Sequence, residues 1–537
     1  MLRSFGSGAM TNSIADIAQS KCILAYGTNT SSNHPVIGTQ VRRAVSAGAK
    51  LIVVDPFKIP LTRYAHLYLQ PKPGTNIPLL LGMARVIVDE KLHDQAFIEE
   101  RCENFEAFRA SLEPYHLDYV SEVTGLAPEL IVQAACMYAS HKPAAILYGM
   151  GITHFACGTE NVMTVGNLAM LTGNIGKPGS GVNPLRGQNN VQGACDMGGL
   201  PNVFPGYQPI TDATVRAKFE AAWKVSNLPD TVGLTIPQMY DAIDRGEIKA
   251  LYIVGENPAL TEPDLAKVRR GLEKVEFLVM HDIFPTESTV YADVVFPAAA
   301  AMEGDGTFSN TERRVQWLNQ VVAPPGDSRP NWWIVGEVAR QMGASGFEYA
   351  SAKDVLREIN ALTPSFAGLT PERLQQGGLQ WPCPDTQHPG TPILHKDRFT
   401  IGKGQFMLTQ YRPPAELPDE AYPYHLSTVR RLFHYHTRTM TGRVPGLNQL
   451  MDRNWMDIHP ADAEGLGIAT GDKVRVSSRR GSIEGFARVT ENCRQGMVYM
   501  DFHFGESPVN FLVNPVHDPI CHVPEFKAAA VKVEKVR

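Results

Sequence analysis

Residues 183–199 read NPLRGQNNVQGACDMGG, which places one arginine, two glutamines, three asparagines and four glycines in seventeen positions. Such a run is too polar for a core strand, and its glycines argue against a long helix. Its chemistry is that of a charged loop. Arg186 keeps its positive charge and can donate two parallel hydrogen bonds to a planar carboxylate, while the neighbouring amides, Gln188 among them, offer both donors and acceptors. A second concentration of polar groups lies in STVRRLFHYHTRTMTG (427–442), where His434 and His436 stand within a few residues of several arginines. A lone histidine is usually structural, but this crowding favours contact with an anion.

These residues need a scaffold. KCILAYGTN (21–29), then HPVIGTQVRRAVSAGA with helical spacing, then KLIVVDP (50–56), reads as a β-α-β unit. LYLQPKPGTN, the helix pattern at 77–91, the apolar run PAAILYGMG (143–151) and the helix ENVMTVGNLAMLTGN extend it into a first α/β domain over about 1–188. A second α/β pattern follows over 189–300 with KALYIVGENP, KVEFLVMHDIFPTE and YADVVFPAAA. Residues 301–400 form a mixed, proline- and glycine-rich bridging region with a helix expected at 331–343, and 401–537 turns to alternating strands and predicts a small β-barrel. In parallel α/β sheets ligands sit beyond the carboxyl ends of the strands, where Asn29, Asp55, Gly74 to Asn76, Gly151, Glu256, Asn257 and Asp282 fall. Two such crevices imply two nucleotide-like ligands or one double ligand.

Composition narrows the alternatives. A formal charge of -5 provides no basic surface for nucleic acid. The eight cysteines form no C-x-x-C pair, so neither a zinc knuckle nor an iron–sulfur loop is written in this chain. There is no run of 18 apolar residues and no signal-like opening, which predicts a cytoplasmic protein without membrane insertion.

Five stretches carry a specific resemblance: GAMTNSIADI, HPVIGTQVRRAVSAGAKLIVVDP, MLTGNIGKPGSGVNPLRGQNNVQGACDMG, EGDGTFSNTERRVQ and DPICHVPEFKAAAVKVE. Over essentially the whole chain they resemble the molybdopterin oxidoreductase (dimethyl sulfoxide reductase) family, and within it the catalytic chains of molybdenum- or tungsten-dependent formate dehydrogenases. The resemblance implies two Rossmann-like parallel-sheet domains and a C-terminal barrel of double-psi type. It also implies a bis(molybdopterin guanine dinucleotide) cofactor whose two guanine nucleotides would account for the two crevices. By position, Arg186 would hold formate at the metal and Gln188 would lie against the pterin. Asn29, Asp55, Gly74, Asn76, Gly151, Gly255, Asn257, Asp282 and Thr286 match cofactor contacts, while Arg430, His434, Asn510 and Lys527 resemble residues that close over the dinucleotides. Three positions depart from the pattern: Phe57 and Ser32 stand where such enzymes tend to have Arg and Asp, and His154 replaces a glutamine.

The resemblance further implies a [4Fe-4S] domain, and a cysteine or selenocysteine ligand to the metal, encoded ahead of Met1. The chain is accordingly expected to be the C-terminal portion of a selenocysteine-type enzyme, its start placed after an in-frame UGA, and inactive alone. Expected partners are formate and CO2, and iron–sulfur or flavin electron-transfer subunits, with a hydrogenase as a further candidate. The competing expectations are another oxyanion oxidoreductase, such as a nitrate reductase, and a non-catalytic scaffold of an electron-transfer complex.

Overall fold

The computed structural model describes residues 1–537. The chain forms two compact units. One comprises Met1–Leu185, Leu260–Ala266 and Ile393–Arg537, and the other Arg186–Ala259 and Lys267–Pro392.

The first unit opens with a five-stranded parallel sheet built from β1 (Cys22–Tyr26), β2 (Lys50–Val54), β3 (Leu67–Leu69), β4 (Ala144–Tyr148) and β5 (Gly181–Pro184), in the order β3-β2-β1-β4-β5. Each of β1, β2 and β4 is a short apolar run, buried almost throughout, as a parallel strand covered on both faces must be. Helices α1 (Pro35–Ser46), α2 (Asn76–Asp89), α3 (Pro128–Ser140) and α4 (Gly158–Leu171) supply that cover, with Ile37, Val41 and Ala44 of α1 buried on one side and Leu80, Met83 and Ile87 of α2 on the other. Strand β5 takes in the first two residues of the run 183–199, at the edge of the sheet. Asn183 and Pro184 end an edge strand, where a proline is tolerated because no ladder partner needs its missing N–H.

Strand order reverses between β1 and β4, and the backbones there approach unusually closely. Gly27 (φ +58°) accepts from the Gly151 N–H at 3.0 Å. A Cβ on Gly151 would lie 2.6 Å from Gly27 Cα. Gly151→Ala must therefore push the two chains apart, and urea denaturation should show a loss of about 1–3 kcal/mol.

In the second unit, β6 (Ala250–Val254), β7 (Phe277–Asp282) and β8 (Val294–Pro297) form a parallel sheet in the order β8-β7-β6. Leu278 and Met280 pack against Tyr240, Ile243, Val268 and Leu272 from helices at Ile236–Asp244 and Leu265–Lys274. The bridging region contributes a small antiparallel sheet from Gly306–Ser309, Arg314–Leu318 and Leu379–Gln380, and the helix at Asn331–Gln341.

The first unit ends in a closed six-stranded barrel of β9 (Tyr424–Val429), β10 (Trp455–Ile458), β11 (Lys473–Ser478), β12 (Gly481–Val489), β13 (Met497–Asp501) and β14 (Ala529–Lys535). Its core is Leu426, Met456, Val474, Val476, Val498, Met500 and Val531. No helix of the chain is long and apolar enough to cross a membrane.

Candidate functional site

The predicted residues divide between the units. In the first, Asn29 follows β1 and caps the short helix Thr30–Asn33 by accepting from the Ser32 N–H at 3.3 Å. Asp55 follows β2 and accepts from the Phe57 N–H at 2.9 Å. Burial pushes its carboxyl up to about 6, against the pull of that N–H and of the Lys527 ammonium. Lys527 donates to the Thr428 carbonyl, and burial together with Arg430 brings it down to about 8. His154, packed on Phe526, is held neutral by burial, Lys527 and Arg430, which push it down to about 3. Asp55, His154, Arg430 and Lys527 thus share one electrostatic neighbourhood. Gly74 turns the chain at φ +77°, and Asn76 opens α2 with its amide 3.5 Å from the Gly151 carbonyl.

Arg430 lies just beyond β9, over the Phe502 ring at 5.3 Å, and lines a cavity of about 630 Å³ with Asn29, Ser32, Phe57, Lys58, Arg63, Arg431 and Arg488. No carboxylate lines this cavity. Arg431 and Arg488 are neutralised by the fully buried Asp457, at 2.7 and 2.5 Å, and Arg431 also binds the fully buried Asp501 at 2.5 Å. Lys58, Arg63 and Arg430 have no such partner, so the cavity is suited to a polyanion.

His434 does not face this cavity. Its Nδ1 engages Thr441 Oγ1 at 3.1 Å and its Nε2 the Met451 carbonyl at 2.7 Å, so the ring is used up in tying down its own loop. Asn510 binds the carbonyls of Leu260 and Thr261 through Nδ2, at 3.2 and 2.8 Å.

In the second unit the Arg186 N–H donates to Thr311 Oγ1 at 3.0 Å, and its guanidinium Nη1 donates to Cys195 Sγ at 3.6 Å. Cys195 sits on α5 (Val191–Asp196), the short helix that the glycine-rich text permits. Gln188 is half-buried. Asp196 is fully buried and receives Gln192 Nε2 at 2.7 Å, the Tyr207 hydroxyl at 3.0 Å and the Trp381 indole N–H at 2.7 Å. Burial raises its carboxyl to about 6 despite those three donors and Arg186. Gly255 (φ +64°) and Asn257 follow β6, and Asp282 ends β7, turning back to accept from the Ile283 N–H at 2.7 Å. The Asn257 amide is committed to Glu287 and Ser288, each at 2.7 Å. Thr286 donates its N–H to Thr289 Oγ1 at 2.9 Å.

Residues 4–341 match the family model described as molybdopterin oxidoreductase, and residues 424–530 match the model of the molydopterin dinucleotide binding domain. The chain belongs to the molybdopterin oxidoreductase family. Among relatives of this molybdopterin oxidoreductase, the F420-dependent formate dehydrogenase 1 subunit alpha of Methanococcus maripaludis is 48% identical, over 99% of this chain and 79% of its own. Formate dehydrogenase H of Escherichia coli is 40% identical over 99% of this chain and 75% of its own. The solved acetylene hydratase of Pelobacter acetylenicus superposes with a TM-score of 0.78 over 100% of this chain and 80% of its own, and at 19% identity it shows the fold alone.

The residues of the first unit fit a phosphate-bearing dinucleotide. The cationic cavity is one observation. Another is a set of buried polar atoms without a hydrogen-bond partner in the protein: Tyr26 OH, Thr30 Oγ1, Arg430 Nε and Asn510 Oδ1 in the first unit, Thr286 Oγ1 in the second. A native fold rarely leaves such atoms unpaired without a ligand or water to meet them. Tyr26, Thr30, Lys58, Arg63 and Arg488 escaped the sequence reading of this molybdopterin oxidoreductase, because single residues in separate segments show no spacing. Thr286→Val, which removes one orphan hydroxyl, should leave the stability of the cofactor-free chain unchanged or raise it by up to about 1 kcal/mol. The same change should lower the guanine nucleotide recovered from the loaded protein.

Proposed function

We propose that this molybdopterin oxidoreductase is the catalytic alpha subunit of a cytoplasmic formate dehydrogenase. It oxidises formate to CO2 with release of two electrons and one proton, at a bis(molybdopterin guanine dinucleotide) centre carrying molybdenum or tungsten. The observation that carries the reading is 48% identity over 99% of the chain to a formate dehydrogenase alpha subunit. When bound, the metal–pterin group supplies the two-electron acceptor.

The chain's own residues bind, orient and neutralise. Arg186, anchored through Thr311 and Cys195, presents a permanent cation to the formate carboxylate and fixes its plane. In the first unit, Lys58, Arg63 and Arg430 would meet the pyrophosphate of one dinucleotide, with Lys527 and Asp55 beside them. In the second, Gly255, Asp282 and Thr286, at or just beyond strand ends, would take the nucleotide of the other. Electrons leave to iron–sulfur or flavin subunits, and relatives named F420-dependent make an F420-linked acceptor the first to try.

The test is an assay of the complete holoenzyme with formate and an oxidised dye, run beside nitrate and a reduced dye. Dye reduction that requires formate, with no nitrate turnover, is the expected result. The reverse pattern would replace this reading with an oxyanion reductase.

A further inference from the structure

Glu525 takes no part in the chemistry described so far, yet it is buried in the first unit with both of its oxygens occupied. Oε1 accepts from the Ala156 N–H at 3.1 Å, and Oε2 from the Ala415 N–H at 3.1 Å and the Asn514 amide at 3.2 Å. Burying a carboxylate is costly unless donors meet it, and an apolar side chain could fill the same space. What the carboxylate adds is direction, because it ties together segments far apart in the chain, Ala156 lying 369 residues away.

Those segments converge on the neighbourhood of Lys527. Ala156 lies two residues after His154, and Glu525 two residues before Lys527. Between them, Phe526 packs on the His154 ring with centroids 5.2 Å apart, while its carbonyl accepts from Thr428 Oγ1 at 3.0 Å. His425 Nε2 meets the Lys527 carbonyl at 3.0 Å. The start of the same loop is fastened too: Asp518 accepts from the Thr159 N–H at 2.8 Å and from its hydroxyl at 2.9 Å, in the first turn of α4. Backbone 525–527 is thus pinned from the β4–α4 connection on one side and from β9 on the other. The Lys527 ammonium itself responds to Arg430 and Asp55, so Glu525 acts on it through the backbone and not through its charge.

We propose that Glu525 is a positioning residue for Lys527, its three hydrogen bonds setting where that ammonium meets the phosphates of the bound dinucleotide. This rests on the reading of the first unit as a dinucleotide site and assigns the clasp behind one of its cations. A lysine is a compact charge on a flexible stem, so fixing the backbone it springs from lowers the ordering its head must undergo to reach an anion. Freed at Glu525, the stem keeps its charge and loses its aim. The clasp therefore matters for holding the ligand only while Lys527 is there to be aimed. A clasp that merely held the fold together would act the same with or without that lysine.

The experiment is a double-mutant cycle on the holoenzyme, measuring the rate at which the dinucleotide leaves on dilution, read as guanine in the filtrate and independent of turnover. Lys527→Met should speed release roughly tenfold, the scale of one hydrogen bond to a charged group. Glu525→Gln turns an amide N–H toward a donor whichever way it lies, and should speed release by roughly threefold or more in the parent background. On top of Lys527→Met the same change should add less than about twofold, since the two residues act as one unit. Ala415→Pro removes one of the three donors, in a run that already reads Pro-Pro, and keeps the proposal testable if the glutamine variant fails to fold. Its smaller effect should likewise vanish without Lys527. Release accelerated by the same factor in both backgrounds, or accelerated in neither, would overturn the proposal. Lys527→Met separates the two readings. If it releases the dinucleotide at the parental rate, the reading of Lys527 as a cofactor residue falls. If it releases faster while the Glu525→Gln effect stays additive, only the clasp falls.

Discussion

Replacing Arg186 with glutamine is expected to lower kcat/KM for formate by about 100- to 1000-fold, the scale on which loss of a preorganised, charge-assisted contact acts. Glutamine keeps a donor but loses both the charge and the planar fork. Lysine keeps the charge without the fork, so Arg186→Lys should recover part of the affinity and little of the orientation. The loss should therefore fall mainly on kcat in the lysine enzyme, and on both kcat and KM in the glutamine enzyme. Steady-state kinetics with a dye acceptor distinguish these patterns. The fold should survive either change, because the residue's backbone N–H, which binds Thr311, is untouched.

Replacing Arg431 with methionine is expected to destabilise the chain by about 3–5 kcal/mol at pH 7.5, the usual result of leaving a buried charge uncompensated. Asp457 retains Arg488, at 2.5 and 2.9 Å, but Asp501 loses the one cation bound to it. Burial already raises the Asp501 carboxyl to about 6 with Arg431 in place, and removing the guanidinium raises it further. A group whose folded-state pKa lies above its unfolded value contributes stability at low pH that is lost as pH rises through the folded value. The deficit of the methionine variant should therefore shrink on acidification below pH 6. Pairing it with Asp501→Leu should restore most of the stability at pH 7.5. Urea denaturation at two pH values reads both effects. Since Arg431 adjoins Arg430, the variant should also retain less cofactor.

The strands and helices of the first sheet were legible because each is a compact apolar run with a clean period, as in KCILAYGTN and KLIVVDP. Strand β5 was not, since Gly-Val-Asn-Pro has the composition of a loop. It is held as an edge strand by parallel pairing with β4, and the Asn183 Oδ1 accepts from the Asn12 N–H at 3.3 Å. Arg186 stood out through its setting, a cation in a run of amides and glycines. The contacts of the His434 ring with Thr441 and Met451 could not be read from the crowding of polar residues around it. The hydrogen bonds around Asp196 were invisible in principle, since Trp381 meets it across 185 residues. The cavity cations likewise come from segments as distant as Lys58 and Arg488, and only folding assembles them.

Acid hydrolysis of the purified holoenzyme, with quantification of the guanine nucleotide released and of bound metal, is the most direct measurement. A bis(molybdopterin guanine dinucleotide) centre predicts about two guanine nucleotides and about one molybdenum or tungsten per chain. A single nucleotide, or none, would contradict a chain built to hold two dinucleotides around a formate-oxidising metal.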